Sequence, residues 1–257
     1  MKVFIIGDIV GNTGVNKVRH VLPEFIKKEN IDFVIANGEN SADGMGITSQ
    51  IFENLLKSGV NVVTMGNHTW GKKDIFNIVD NQKLLRPANY PKDVPGKGYW
   101  IYECKDKAIC VINLIGRVDM NVLSDNPFII VNDLVNELKD MVDIIIIDFH
   151  AEATAEKIAM GYYLDGKITA IYGTHTHVQT ADEQILENGT AYITDIGMTG
   201  PKKSVIGMSI DASVKRFVTT LPERYKVSDD KNAFLNGCIL EINDETCRTE
   251  KIKRINL

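Results

Sequence analysis

Six short apolar runs limit the fold of this chain more than any other feature. They are KVFII (2–6), IDFVIA (31–36), VNVVTM (60–65), VDIIII (142–147), ITAIY (168–172) and TAYIT (190–194). Each is rich in β-branched residues and nearly continuous, the pattern of strands buried on both faces. Helical patterns separate the first three. Val15, Val18, Leu22, Phe25 and Ile26 recur at helical spacing, and TSQIFENLLKSG (48–59) opens on a Thr or Ser cap and closes at Gly59. Strand, helix, strand, helix, strand is the signature of a right-handed parallel βαβ sheet.

The middle of the chain breaks that pattern. GYWIYECKDKAICVINLIG (98–116) predicts an antiparallel hairpin about Lys105-Asp106-Lys107. GCILEI and TCRTEKIKRI predict a second hairpin about Asn243-Asp244, and DASVKRFVTTL (211–221) predicts a helix before it. The expected fold is α/β, with two mixed sheets and helices outside them. No repeat or linker divides the 257 residues, so one domain over 1–257 is expected.

Composition excludes several functions. No apolar run approaches the roughly 18 residues of a membrane span, and MKVFIIGDIVG is interrupted too soon by Asp8 to read as a signal peptide. A net charge of −5 argues against strong RNA affinity. Cys104, Cys110, Cys238 and Cys247 form no C-x-x-C pair and adjoin no histidine, as expected of reduced thiols in the cytoplasm. The oligomeric state stays open, a homo-oligomer included.

The ends of the apolar runs carry unusual chemistry. They lead into Gly7-Asp8, Asn37-Gly38-Glu39-Asn40, Gly66-Asn67-His68, Asp148-Phe149-His150 and Gly173-Thr174-His175-Thr176-His177. An isolated H-x-H can be a solvated strand face, a pair of core histidines or a metal site. Here four of the five histidines fall at strand ends beside Asp8, Glu39, Asn40 and Asn67, while His20 lies on the polar face of the first helix. Ligands of open α/β sheets bind beyond the carboxyl ends of the strands, so these residues map to one site. Oxygen and imidazole donors without thiolate point to iron, manganese or a comparable ion. Seven plausible donors are too many for one ion, and a single carboxylate shared between two ions would use them economically.

GNH (66–68) and GTHTH (173–177) resemble the motifs of the calcineurin-like metallophosphoesterases. Two features depart from that pattern: Asp8-Ile9-Val10 in place of Asp-x-His, and Glu39-Asn40 at the bridging position. With NGENSADGMGIT, GNHTW, RPANYP, DFHAEAT, GTHTHVQTADE and YITDIGMTGP, they are similar to the YmdB-type phosphodiesterase branch. The resemblance covers essentially the whole chain. It implies a four-layer α/β/β/α sandwich, a di-iron-type centre and hydrolysis of phosphodiesters, 2′,3′- or 3′,5′-cyclic nucleotides among them.

By position it implies Asp8, Glu39, Asn40 and His177 on one ion, and Glu39, Asn67, His150 and His175 on the other, with Glu39 bridging. It also implies attack on phosphorus by a metal-bridging hydroxide and His68 as the general acid for the leaving oxygen. Asp148 and Asp195 read as partners that orient imidazoles or as helix caps, and Arg117 as a phosphate contact or a surface ion pair. The other class of function to be weighed is a regulatory module that binds RNA or a nucleotide and hydrolyses slowly.

Overall fold

The computed structural model describes residues 1–224 and 226–257. The chain first lays down β1 (Lys2–Ile6), β2 (Asp8–Ile9), α1 (Gly11–Glu29), β3 (Phe33–Asn37), α2 (Ser49–Lys57), β4 (Val62–Thr64) and β5 (Leu84–Leu85). A second sheet follows from β6 (Tyr99–Cys104), β7 (Lys107–Ile115), α3 (Pro127–Leu138), β8 (Ile144–His150), α4 (Thr154–Leu164), β9 (Ala170–Thr174), β10 (Gln184–Ile185) and β11 (Ala191–Ile193). The chain then returns to the first sheet with β12 (Met198–Pro201), α5 (Ile210–Thr219), β13 (Ala233–Ile242) and β14 (Thr249–Asn256).

The first sheet has the order β2-β12-β13-β1-β3-β4-β5, with β14 also paired to β13, and the second has the order β10-β11-β9-β8-β7-β6. β1, β3, β4 and β5 run parallel, as do β7, β8, β9 and β11, while β13 runs antiparallel beside β1. Both sheets are therefore mixed, as expected.

Alternation along the strands builds the layers. On β1, Val3 and Ile5 pack between the sheets against Ile109, Val111, Ile144 and Ile146. Phe4 and Ile6 turn the other way, to Val18, Leu22 and Phe25 of α1 and to Phe52 and Leu55 of α2. Ile112, Ile145 and Ile147 of the second sheet meet Val131 and Val135 of α3 and Met160 of α4. The result is the four-layer α/β/β/α sandwich. Each fully buried Ile, Leu or Phe contributes about 1.5–3 kcal/mol to it by leaving water.

Local signals agree. Thr48 caps α2, accepting from the Ile51 amide at 3.3 Å. Lys105 and Asp106 both have positive φ, so β6 and β7 join through a two-residue turn and Lys107 already belongs to the strand. α1 starts at Gly11. A Cβ on Gly14 would lie 2.3 Å from the Thr199 carbonyl oxygen, which lets α1 press on β12.

Candidate metal centre

The two sheets bring their strand ends together. Asp8 follows β1, Glu39 and Asn40 follow β3, and Asn67 and His68 follow β4; His150 ends β8, and His175 and His177 follow β9. Asp8, Glu39, Asn40 and His150 are buried, while Asn67, His68, His175 and His177 are partly exposed on a cleft of about 1140 Å³. All eight expected site residues thus fall in one place. His20 does not; it is exposed, with Nδ1 2.7 Å from its own helix at the Asn16 carbonyl.

Three histidines are held from behind by an acceptor on one ring nitrogen. His150 Nδ1 meets the Thr174 hydroxyl at 2.9 Å, and that hydroxyl donates to Asp148 at 2.7 Å. His175 Nε2 lies 3.1 Å from Glu152, and His177 Nδ1 lies 2.8 Å from the Ile206 carbonyl. A nitrogen bonded to such an acceptor carries the proton, so the other nitrogen of each ring turns a lone pair inward.

Those inward atoms crowd together. His150 Nε2 is 3.0 Å from His175 Nδ1, 2.9 Å from Asn67 Oδ1 and 3.2 Å from Glu39 Oε1. With both rings neutral all four atoms accept and none has a proton to give, which is unfavourable unless a cation, or in its absence a proton on His150, sits among them. Glu39, His150 and His175 alone place their ligand atoms within 4.8 Å of one another.

A second group lies on the other side of Glu39. His177 Nε2 is 3.8 Å from Asp8 Oδ1, which is buried without a hydrogen-bond partner among the described residues. Asn40 gives its Nδ2 to Glu39 Oε1 at 3.0 Å, lies 3.2 Å from His177 Nε2, and turns Oδ1 to His68 Nδ1 at 3.0 Å. Ligation by Asn40 Oδ1 would need the amide reversed. The orphaned carboxylate oxygen and the acceptor-only cluster both fit a site for positive ions.

The electrostatics of the metal-free residues agree. Burial raises Asp8. Burial also works against Glu39, but His150 and His68 overcome it and hold Glu39 well below the ordinary carboxylate range. Burial opposes charge on His150, yet Glu39, Asp8 and Asp148 carry it to about 9; burial and the charge on His150 push His175 down to about 3. A proton on His150 thus takes the place of a cation.

Neither Gly66 nor Gly173 has positive φ. Their role is close approach. A Cβ on Gly66 would lie 2.3 Å from the His150 ring and 2.4 Å from Glu39 Oε2, and one on Gly173 would lie 1.8 Å from the Thr194 carbonyl oxygen.

Asp148 is no helix cap. It accepts from Thr174, Thr64 and Asn37 and so stands behind His150 through the threonine. Asp195 touches no imidazole. It accepts from Lys157 Nζ at 2.7 Å and from the amide and hydroxyl of Thr176, between the two histidines. Arg117 is exposed, makes no ion pair among the described residues and lies outside the cleft lining. Sequence reasoning missed Thr174, Glu152 and Lys157. Thr174 sits inside GTHTH and Glu152 inside DFHAEAT, so nearness to a ligand was the available signal; nothing in the sequence marks Lys157.

The YmdB-like protein family matches residues 4–255. The chain is 47% identical over 256 residues to a 2′,3′-cyclic-nucleotide 2′-phosphodiesterase of Bacillus subtilis (strain 168), covering 99% of this chain and 96% of the relative. Two crystal structures superpose over 100% of this chain. One, described as a novel phosphatase from Mycoplasma pneumoniae, has a TM-score of 0.95 at 38% identity and is covered over 93% of its length. The other, described as a hypothetical protein from Thermus thermophilus, has a TM-score of 0.94 at 36% identity and is covered over 99%. By motif, fold and sequence alike, the chain belongs to the YmdB-like family and has the metallophosphoesterase fold.

Proposed function

We propose that this chain is a dinuclear metal-dependent phosphodiesterase acting on cyclic nucleotides, 2′,3′-cyclic ones first. The observation that carries the reading is the inward convergence of Asn67 Oδ1, His150 Nε2, His175 Nδ1 and Glu39 Oε1, four metal-ligating atoms held together only by a positive charge among them. Those four residues would hold one ion. Asp8, Asn40 and His177 would hold the other with Glu39, which touches both groups. The oxygen and imidazole donors suit iron or manganese. Two such ions would neutralise phosphoryl oxygens and lower the pKa of a water toward neutrality. The printed name of the Bacillus subtilis relative supports the substrate class, and four free cysteines suit a reducing cytoplasm.

The protein's own groups supply the rest. Glu39 Oε2 accepts from the His68 amide at 3.0 Å and fixes that residue at the rim of the centre. His68 Nδ1 faces two acceptors, Asn40 Oδ1 at 3.0 Å and Glu39 Oε1 at 3.2 Å, so Nδ1 keeps its proton. Among the described residues, no group bonds Nε2. A proton on Nε2 can therefore pass to a ribose oxygen leaving phosphorus. Lys72, Arg224 and Lys226 line the cleft together with Glu39, Asp43 and Glu152, and can meet a phosphate from its walls.

Turnover by protein loaded with defined metals, on 2′,3′-cyclic, 3′,5′-cyclic and linear diesters, tests this. The 2′,3′-cyclic substrate should be hydrolysed only with metal, and Glu39→Gln should abolish it. Metal-loaded protein that turns over none of the three would refute the reading.

A further inference from the structure

The cleft stands at the upper end of the sizes usual for small-ligand sites. It measures about 1140 Å³, and pockets that enclose small ligands span roughly 300–1,000 Å³. Beyond the ligand cluster its walls carry Lys72, Arg224 and Lys226, with Asp43 paired to Lys72 at 3.4 Å.

An aromatic row belongs to the segment that follows Asn67 and His68, just outside the residues that line the cleft. Trp70 lies between His68 and Lys72, which both line the cleft. It stacks on Phe76 with ring centroids 5.7 Å apart and planes 10° apart, and the two rings are 36% and 58% exposed. Tyr90 backs Trp70 from inside at 6.3 Å, and its hydroxyl donates to the Gly66 carbonyl at 3.1 Å. The row is therefore anchored to the loop that carries Asn67 and His68. Gly71 keeps the gap beside it narrow, since a Cβ there would lie 2.6 Å from Met45 Cγ on the cleft wall. The phosphodiesterase chemistry itself uses none of these rings.

Proteins hold single-stranded nucleic acid on exposed aromatic rings with basic groups placed for the backbone, because every base offers a π-face; here Arg224 and Lys226 are the basic groups of the cleft lining besides the paired Lys72. A 2′,3′-cyclic phosphate occupies both ring hydroxyls of its ribose. Such a nucleotide can extend only through its 5′ side, so a chain bearing one carries it at the 3′ end. Resting on the phosphodiesterase reading, we infer that the substrate is a short oligoribonucleotide ending in a 2′,3′-cyclic phosphate, with the base before the terminal nucleotide stacked on the Trp70–Phe76 platform and its backbone phosphate against the cleft-wall cations. Water adds to phosphorus, the P–O2′ bond breaks, O2′ takes a proton, and a 3′-phosphomonoester remains on the oligonucleotide. The net charge of −5 confines attraction to this local patch and so suits a short single strand, not broad RNA binding.

The test compares kcat/KM for a 2′,3′-cyclic mononucleotide and for a trinucleotide with the same end, in metal-loaded protein. Wild type should favour the trinucleotide by roughly 5- to 150-fold, the worth of one stacked base. Trp70→Ala should collapse that ratio toward one, Trp70→Phe should keep most of it, and Arg224→Ala should lower it and weaken its dependence on salt. Metal content of each variant checks that the centre is intact. Turnover of both substrates without preference, or equal losses on both in Trp70→Ala with metal retained, would overturn the inference and leave the phosphodiesterase reading standing. No turnover of either would overturn both.

Discussion

Thr174→Val should loosen one metal ion without unfolding the protein. The hydroxyl lies between two buried groups, accepting from His150 Nδ1 at 2.9 Å and donating to Asp148 at 2.7 Å. Thr174, His150 and Asp148 are all 0% exposed, so no water can replace it. Valine has nearly the same shape and suits the end of β9. The substitution leaves the imidazole N–H unpaired, which costs about 1–3 kcal/mol. Burial has already raised Asp148 to about 6 against His150 and the threonine hydroxyls. Loss of one hydroxyl raises it further, toward the neutral acid at physiological pH, and so removes negative charge from behind the ring.

Both effects act on the ion that His150, Asn67 and His175 would hold in the proposed centre. Partners that orient a metal-bound histidine are worth roughly 10- to 100-fold in affinity, about 1.4–2.7 kcal/mol, which agrees with the cost of one unpaired N–H. Calorimetric titration of metal-free protein should show that loss at one of two sites, while Thr174→Ser, which keeps the hydroxyl, stays near wild type. Circular dichroism checks the fold. Affinity within threefold of wild type at both sites, or an equal loss in Thr174→Ser, would refute the proposed role of the hydroxyl.

Three further outcomes follow from the same geometry. Glu39→Gln should lower the content of both ions and Asn67→Ala mainly one, as measured by metal per chain after gel filtration; a Glu39→Gln protein that keeps two ions would end the bridging assignment. His68→Ala should keep both ions yet lose roughly 10²–10⁴-fold on a ribose phosphodiester, with a much smaller loss on a nitrophenyl ester, whose leaving group hardly needs a proton; equal losses would make His68 a positioning residue. In the metal-free protein, the raised His150 contributes stability that is full below pH 6.5 and lost as the pH rises through about 9. Its melting temperature should fall more steeply across that window than that of metal-free His150→Gln, and parallel curves would contradict the charge assignment.

The strands that carry ligands were legible because burial on both faces leaves a continuous apolar run. KVFII is β1 to the residue, and the runs before His150 and Gly173 are β8 and β9. Strands of two to four residues, such as β2, β5 and β12, have too few residues to show a period. α3 and α4 were not anticipated either. The FIIV run of α3 is β-branched and reads as strand, and α4 buries Lys157 and Gly161 where a helical stripe would show apolar residues. The hairpin of β13 and β14 was legible, but its insertion beside β1 was not, since that pairing joins residues about 240 apart. In the site, the residues at strand ends were found and those one contact behind them were not. A ligand advertises itself by residue type and position, whereas Thr174 and Lys157 matter only through a contact made after folding.

The two neighbouring histidines show most clearly what the sequence could not convey. On a strand, residues two apart share a face, and His175 and His177 would then point at the same spot. β9 stops at Thr174, and both histidines have positive φ, 96° and 66°. Such values are uncommon for side chains other than glycine and persist only when the surroundings over-determine them. Here the His175 amide donates to Asp8 Oδ2 at 3.1 Å, and Asp195 grips Thr176 by amide and hydroxyl. Lys157 in turn neutralises Asp195 at 2.7 Å, both side chains being within 1% of full burial. A buried ion pair is a poor source of stability, because desolvation offsets most of the attraction. Its value in this position is geometric. It fixes the peptide between the histidines so that one ring reaches His150 and the other reaches Asp8 and Asn40. A polar cluster that adds little to folding thus does what an apolar one could not, turning a two-residue spacing into two imidazoles with different partners, His150 for His175 and Asp8 and Asn40 for His177.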